Sequence, residues 1–263
     1  MTTSSLRTQE LRLAYRPDRA VIDGLDLTFP GGMVTAIVGA NGSGKSTLLH
    51  GLARLLQPAG GRVLLDGHDI HRMRTREVAR RLGLLPQAPV TPDGISVRDL
   101  VRRGRLPHTS LFRQLSIEDE AAVDGALGAT DLAALADEPV DTLSGGQRQR
   151  AWLALVVAQD TPWLLLDEPT TFLDLAHQLD VLELVRRLNR DDDRTVIMVL
   201  HDLNQASRFA DHLVALRNGN VVAAGPPVDV VTDELVRAVF GVESWVIPDP
   251  VTGTPLVVPI GRA

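Results

Sequence analysis

One short segment, Gly39–Thr47 (GANGSGKST), constrains the fold of this chain most, because a buried strand and a helix are predicted on either side of it. Before it, Met33–Val38 is an apolar run of strand length; after it, Ser46–Leu56 has apolar residues at helical spacing. Its glycines let backbone N–H groups surround an anion, and the dipole of the following helix attracts that anion. The pattern predicts a loop that binds the phosphates of a nucleoside triphosphate, and we call it the phosphate loop.

Lys45, inside the phosphate loop, is the only lysine of the chain, which otherwise takes its positive charge from arginine. An ammonium is a compact charge on a flexible stem, whereas a guanidinium is a planar fork. The single exception therefore indicates a role that arginine cannot fill. We expect Lys45 to reach the β- and γ-phosphates of the nucleotide.

Composition limits the remaining function classes. The 263 residues are 44% apolar and 23% charged, as in an ordinary globular protein, and the net charge of -6 disfavours broad nucleic-acid binding. The chain has no cysteine, which excludes disulfides, thiolate metal sites and cysteine nucleophiles. The residues Met1–Ser5 lack the features of a secretion signal, and no apolar run approaches the length of a bilayer span. We expect any membrane role to go through a partner.

Strand and helix patterns alternate along most of the chain. Short strands are predicted at residues 11–13, 21–29, 62–66, 83–86, 163–167, 195–200, 214–216 and 221–223, and an apparent hairpin at residues 245–260. Helices are predicted at residues 74–82, 147–159, 175–188 and 203–210. This order predicts an α/β fold with a mixed, mostly parallel sheet and antiparallel strands near the N-terminus.

The segment from Ser96 to Leu143 shows only short helical patterns, at residues 97–103, 117–127 and 132–136. We interpret it as part of an inserted α-helical subdomain. The predicted organisation is a single domain over residues 1–263, with a core at 1–87 and 160–240, the helical subdomain at 88–159, and a short C-terminal extension at 241–263. His68 with His71, and Asp191–Asp193, are interpreted as solvated turns and not as metal sites.

Two further segments carry chemistry. Leu143–Gln147 (LSGGQ), which we call the signature segment, places a serine and two glycines at a helix start, a second arrangement suited to an anion. About 16 residues later, a buried strand begins at Trp163; it ends at Asp167, which is followed by Glu168. A lone carboxylate at the end of a buried strand is costly unless it serves a cation. Asp167 is therefore a candidate metal ligand.

The phosphate loop, the signature segment and the Asp167-Glu168 pair occur in an order that resembles the ATP-binding subunits of ATP-binding-cassette (ABC) transporters. The resemblance covers essentially the whole chain. It implies a phosphate-loop NTPase fold of the ABC type, with ATP and Mg²⁺ as cofactors and ATP hydrolysis as the activity.

The resemblance also implies a role for individual residues. Glu168 would polarise the attacking water, and His201 would be a switch histidine at the γ-phosphate. Gln87 would contact the metal or the water, and Lys45 would stabilise the phosphates. The implied metal ligands are Ser46, Gln87 and Asp167. The implied nucleotide-binding residues are Tyr15, Gly39, Asn41, Gly42, Ser43, Gly44, Lys45, Ser46, Thr47, Ser144, Gly145, Gly146, Gln147 and Asp174; Tyr15 is expected to follow the first strand and to stack on adenine.

In the family that the chain resembles, two subunits pair head to tail. The signature segment of one subunit then covers the nucleotide held by its partner, and Asp174 lies in a loop that crosses the interface. The resemblance therefore implies a homodimer with ATP at its interface.

Three phrases resemble the ATPases of ferric-siderophore importers, a group shared with haem and vitamin B12 uptake. They are Arg103–His108 (RGRLPH), Glu168–Gln178 (EPTTFLDLAHQ) and Leu200–Ala206 (LHDLNQA). This resemblance implies permease transmembrane partners, an indirect role for a substrate-binding protein, and a peripheral location on the cytoplasmic face of the inner membrane. We expect Ala88–Leu115 to form much of the permease contact, with Leu106, Leu111 and Phe112 either as apolar anchors or as ordinary core.

Other readings stay open at this point. Within importers, haem, cobalamin or a bare metal ion are alternative substrates. An exporter subunit, a non-hydrolysing cassette and a soluble ABC ATPase acting on nucleic acid or the ribosome are further alternatives. The single cassette, the acidic balance and the presence of Lys45, Gln87, Glu168 and His201 disfavour the last two.

Overall fold

The computed structural model describes residues 5–109, 115–171 and 173–263. These residues form two compact units. The first contains residues 5–73 and 195–263, and the second contains residues 74–194. Two expected permease anchors, Leu111 and Phe112, lie outside the described residues.

The first unit begins with β1 (Leu6–Arg16), β2 (Arg19–Phe29), β3 (Val34–Gly39), α1 (Lys45–Leu52), β4 (Gly60–Leu65) and β5 (His68–Asp69). The second unit contains α2 (Thr75–Ala79), β6 (Leu82–Leu85), α3 (Val97–Arg102), α4 (Ile117–Ala129), α5 (Gly145–Ala158), β7 (Trp163–Asp167) and α6 (Leu175–Asp192). The first unit then resumes with β8 (Thr195–Val199), α7 (Leu203–Phe209), β9 (His212–Arg217), β10 (Asn220–Gly225), α8 (Pro227–Val230), α9 (Asp233–Phe240), β11 (Val242–Pro248) and β12 (Pro255–Arg262).

Two sheets and a hairpin make up the strands of the first unit. One sheet is antiparallel, in the order β2, β1, β4, β5, and its apolar residues alternate with polar ones as expected for a sheet with one buried face. In the other, β3 is parallel to both β8 and β9, and β10 is antiparallel to β9. Every residue of β3 and β8 is buried. The predicted antiparallel N-terminal strands and parallel strands are confirmed.

The turn between β9 and β10 follows from its sequence. Asn218 and Gly219 have φ of 50° and 80°, which is the backbone of a two-residue hairpin turn. The β11–β12 hairpin of the C-terminal segment is also as predicted, although it begins three residues earlier than expected.

In the second unit, β6 and β7 pair in parallel, and every residue of β7 is buried. The stretch between these two strands is helical, as predicted, with α3 and α4 both packed on α5. Only an isolated bridge, between Ser96 and Pro139, interrupts this pattern within the described residues.

Several predicted helix limits were also wrong. The helix expected to reach Leu56 ends at Leu52, because the chain passes Arg54 with a left-handed φ of 62°. The helix expected at residues 74–82 is shorter and consists only of α2, because Leu82 belongs to β6 and pairs with Trp163. The helix expected at 132–136 is a single 3-10 turn at Ala133–Leu135. Asp191 and Asp192 belong to α6, and only Asp193 turns out of it, at a φ of 54°.

A buried ion pair joins the helices of the second unit. The Arg105 guanidinium donates to Asp119 Oδ1 at 2.9 Å and to the carbonyl of Ala158 at 2.8 Å. Burial alone would raise the pKa of Asp119, but hydrogen bonds from Ser116 and from Arg105 outweigh it and hold that pKa below its usual value. At Gly104, a Cβ would lie 2.2 Å from the carbonyl oxygen of Leu155. The Arg103–His108 phrase thus fastens the end of α3 to α5.

None of the helices in residues 5–109, 115–171 and 173–263 combines the length and the apolar character needed to cross a bilayer.

Candidate functional site

The phosphate loop of the first unit needs glycine at two of its positions. A Cβ at Gly39 would lie 2.3 Å from the carbonyl oxygen of Leu216 and 2.6 Å from Ser43 Oγ. Gly44 has a φ of 103°, and a Cβ there would approach Ile22 Cδ1 at 3.1 Å. Other residues would be strained or would clash at both positions, so the path of the loop depends on its glycines.

The loop has the polar character that an anion requires. Ser43 Oγ is buried and has no hydrogen-bond partner in the described residues. No side chain caps α1, and no acidic residue lies in its first turn. A capping side chain is present in α3, α4, α5, α6, α7 and α9, and absent from α1 and from the short helices α2 and α8. A buried orphan hydroxyl beside an uncapped helix start fits a bound phosphate.

Lys45 is 5% exposed and begins α1. Its Nζ donates to the carbonyls of Gly39 at 2.9 Å and Ala40 at 3.2 Å, so the ammonium lies over the loop. Burial of a cation is costly unless hydrogen bonds or an anion compensate. The position of Lys45 is therefore suited to a phosphate held by the same loop.

Tyr15 was expected to follow the first strand, and this was wrong: it lies inside β1, next to the final residue, because the β1–β2 hairpin continues to its turn. Its ring is 62% exposed, and its hydroxyl lies 3.5 Å from Thr47 Oγ1. A cavity of about 640 Å³ opens beside it, lined by residues that include Tyr15, Arg16, Arg19, Val21, Gly42 and Asn218. An exposed aromatic ring at the edge of a cavity that reaches the phosphate loop is suited to stacking on a base.

His201 lies two residues after the last residue of the fully buried strand β8 and is exposed. The next residue, Asp202, caps α7 by accepting from the backbone N–H of Gln205 at 2.9 Å. The cap sets the start of α7 two residues after His201. Three residues after His201, the Asn204 amide pairs with the backbone of Val257 on β12, donating at 3.2 Å and accepting at 2.7 Å.

In the second unit, the end of β7 carries two buried carboxylates. Asp167 is 1% exposed and Glu168 is 8% exposed. Gln87 Nε2 donates to Glu168 Oε2 at 2.6 Å, and Thr171 Oγ1 donates to the same oxygen at 3.1 Å. Glu168 has a φ of 53°, a left-handed conformation that is uncommon for a residue other than glycine and that occurs both at active sites and in turns; seven other non-glycine residues in the described part of the chain share it. The structure therefore places Gln87 directly on the predicted catalytic carboxylate.

The signature segment forms the start of α5. Ser144 caps this helix: its Oγ accepts from the Gln147 backbone at 3.3 Å, and its own backbone N–H donates to Gln147 Oε1 at 2.9 Å. Ser144 and Gly145 are exposed. The Ser-x-x-Gln spacing thus makes a capping box that presents the helix start to the surroundings of the unit.

Asp174 is the N-cap of α6 and accepts from His177 twice, from its backbone N–H at 3.0 Å and from Nδ1 at 2.8 Å. The backbone hydrogen bond first, and the side-chain bond after it, hold the pKa of Asp174 below its ordinary value. The carboxylate is 68% exposed. It remains charged and accessible at neutral pH.

Three residues whose side chains form hydrogen bonds in or next to the candidate site were not identified from the sequence: Thr171, His177 and Asn204. Thr171 and His177 lie within the importer-like phrase that begins at Glu168, and Asn204 follows His201 in the last phrase. Because each acts through a contact that only the folded chain creates, no spacing rule singles it out. Among the described residues, no group of three or more His, Asp or Glu side chains could hold a metal ion.

The fold and these segments define an ATP-hydrolysing cassette. The profile of the ABC transporter family matches residues 22–171, which include the phosphate loop, the signature segment and Glu168, and the chain belongs to this family as one of its ATPase subunits. Among curated proteins, it is 54% identical to the ferric enterobactin transport ATP-binding protein FepC of Escherichia coli (strain K12), over 99% of this chain and 96% of FepC.

Solved structures agree with this assignment. An inward-facing structure of a metal-chelate type ABC transporter has a TM-score of 0.84 and 29% identity, covering 98% of this chain and 98% of that chain. A dimeric, post-hydrolysis structure of the ATP-binding cassette MJ0796, bound to ADP and Pi, has a TM-score of 0.74 and 26% identity, covering 84% of this chain and 98% of that chain. The predicted phosphate-loop fold of the ABC type is confirmed.

Proposed function

We propose that this chain binds and hydrolyses ATP to drive uptake of a ferric-siderophore-type iron complex through a membrane permease. The observation that carries the substrate class is the identity of 54%, over nearly the full length of both chains, with a ferric enterobactin transport ATP-binding protein. The iron complex itself would never touch this chain, so its identity depends on the permease and on a substrate-binding protein. The proposed location is the cytoplasmic face of the inner membrane, through contact with the permease.

The proposed nucleotide site uses the residues expected from the sequence. In the first unit, Tyr15 stacks on the base, the phosphate loop with Lys45 binds the phosphates, and His201 contacts the γ-phosphate. Support comes from the orphan Ser43 hydroxyl, the uncapped start of α1 and the cavity beside Tyr15.

In the second unit, Glu168 is the proposed catalytic base. Gln87 and Thr171 orient its carboxylate by the two hydrogen bonds to Oε2. Positioned general bases contribute about 10²–10⁴ in rate. Mg²⁺, when bound, would neutralise charge on the phosphates, and we propose Ser46, Gln87 and Asp167 as its ligands. A buried carboxylate, a hydroxyl and an amide are oxygen donors of the kind that Mg²⁺ takes.

We further propose that two copies of the chain pair head to tail, with the signature segment of each copy acting on the nucleotide of the other. The exposed, capped start of α5 supports this, because a donor-rich helix start facing outward is available to a second molecule. The charged, exposed Asp174 would lie at the same interface. The domain division proposed from the sequence, with a helical subdomain at 88–159 and an extension at 241–263, belongs to this proposal.

Uptake by living cells tests the substrate class. Removing this chain from its host should reduce uptake of ⁵⁵Fe-labelled siderophore to background, and the wild-type chain should restore it, because the permease has no other energy source in this proposal. The comparison substrates are haem and cobalamin, whose uptake should not change. Loss of haem or cobalamin uptake with unchanged siderophore uptake would overturn the substrate class and leave the ATPase assignment in place.

Substitution of Ser144 tests the action of the signature segment on a second copy. Ser144→Tyr should reduce ATP turnover by about 100-fold or more, since a positioned donor at a developing negative charge contributes 10²–10³ in rate. ATP binding to the dilute monomer, measured by calorimetry, should be unchanged. The matched control is Ser116→Tyr, which removes an equivalent capping box from α4. Weaker ATP binding by the Ser144→Tyr monomer would show that the segment acts on its own subunit's nucleotide.

A further inference from the structure

The imidazole of His177 occupies the space that a side chain at position 146 would need. A Cβ at Gly146 would lie 3.0 Å from both Cγ and Cδ2 of His177 and 3.4 Å from Nδ1. A Cβ at the neighbouring Gly145 would meet nothing within 4 Å. The two glycines of the signature segment therefore differ: position 146 is restricted by contact with α6, and position 145 is not.

Hydrogen bonds to His177 limit how far its ring can move away from a larger neighbour. Its Nδ1 lies 2.8 Å from Asp174 Oδ1, and its backbone N–H donates to the same oxygen at 3.0 Å. The next residue, Gln178, donates from its side chain to the carbonyl of Leu173 at 2.9 Å. The first turn of α6 is thus tied to the segment before it by three hydrogen bonds, and the ring has one defined place.

The same segment is bonded to the proposed catalytic base at its other end. Thr171 donates its hydroxyl to Glu168 Oε2 at 3.1 Å and its backbone N–H to the carbonyl of Glu168 at 3.2 Å. Contacts therefore run from the signature segment to His177 and Asp174, and the neighbouring Leu173 donates its backbone N–H to the carbonyl of Thr170 at 3.4 Å, in the loop that begins at Glu168.

We propose that His177 is a positioning residue that holds the signature segment at a set distance from Asp174 and the Glu168 loop. The inference rests on the proposed role of the signature segment in hydrolysis. In this proposal, the signature segment of one subunit contacts the nucleotide of the partner subunit. When the signature segment is displaced, the imidazole of His177 transmits the displacement to the Glu168 loop of the same subunit. His177 itself touches no nucleotide, so its loss should affect turnover and not nucleotide binding.

Two substitutions of His177 separate positioning from stability. His177→Leu fills a similar volume but removes the donor to Asp174, and kcat should fall about tenfold with KM within about twofold, as expected for loss of one coupled contact. His177→Asn keeps a donor near the place of Nδ1 and should recover most of the activity. A loss of kcat that follows the loss of thermal stability equally in both variants would show a structural role only.

A double-mutant cycle tests the contact itself, in the full-length chain. Gly146→Ala should lower kcat about five- to tenfold in the wild-type background, but by no more than about twofold when His177 is already alanine, because contacting residues are non-additive. Gly145→Ala is the matched control, and its effect should be the same in both backgrounds. Alanine favours helix more than glycine does, so helix propensity cannot account for a loss.

The outcomes distinguish this inference from the function on which it rests. Equal losses from Gly146→Ala in both backgrounds, in an otherwise active enzyme, would overturn the role of His177 and leave the proposed function intact. Absence of ATP hydrolysis by the folded wild-type chain, both alone and with its permease, would instead overturn the proposed function.

Discussion

Replacement of Glu168 by glutamine should reduce ATP turnover by about 10²–10⁴ while ATP binding is retained, because the amide keeps the shape of the side chain but cannot accept a proton. The carboxylate is nearly buried and accepts from Gln87 at 2.6 Å and from Thr171 at 3.1 Å. A glutamine can offer its oxygen to the same donors, so the local structure should survive. Single-turnover hydrolysis and calorimetric titration with MgATP measure the two effects separately.

The same variant should accumulate as an ATP-bound dimer, because hydrolysis is the proposed step that separates the two copies. Light scattering with and without ATP would measure this. Glu183→Gln, an exposed carboxylate on α6, is the matched control and should behave as wild type. Hydrolysis at the normal rate by Glu168→Gln would mean that another group activates the water.

Replacement of Lys45 by alanine should weaken ATP binding by about 10- to 100-fold, since a hydrogen bond to a charged group contributes about 1.5–3 kcal/mol. The chain has no second lysine to take over this role. Nζ already lies within 3.2 Å of the loop carbonyls of Gly39 and Ala40, where a bound phosphate would add the compensating negative charge. Calorimetry of the isolated chain measures the affinity.

Lys45→Arg tests whether the charge alone is sufficient. The side chain is 5% exposed, and a planar guanidinium is larger than the ammonium that fits there. Its affinity for ATP should therefore also fall, in contrast to Arg62→Ala, an exposed cation on β4 whose loss should have no effect. Unchanged ATP affinity in Lys45→Ala would contradict the proposed role of the phosphate loop.

The phrase Arg103–His108 shows that local sequence indicates the transporter family, whereas tertiary contacts give the residues their structural roles. Arg103–His108 was read from the sequence as a mark of one transporter subgroup. In the structure, Arg105 of this phrase forms a buried ion pair with Asp119 and reaches the carbonyl of Ala158, which lies 53 residues further along the chain. The residue holds the helical part of the second unit together, a role that no pattern within the phrase could indicate.

The amino-acid sequence alone determined the features that depend on local backbone conformation and residue type. The glycines and the lysine of the phosphate loop, the helix start at the signature segment, the Asn218-Gly219 turn and the apolar run that became β7 all follow from preferences within a few residues. For this reason their positions, and the family that they indicate, could be stated before any coordinates.

Tertiary structure alone decided which side chains from distant parts of the sequence are in contact. Gln87 and Glu168 are 81 residues apart yet share a hydrogen bond, and Gly146 has a neighbour, His177, on another helix. The end of α1 and the place of Tyr15 inside β1 were also misjudged, because strand pairing and a left-handed turn set these limits. Such contacts arise from packing between elements, which spacing along a sequence does not encode.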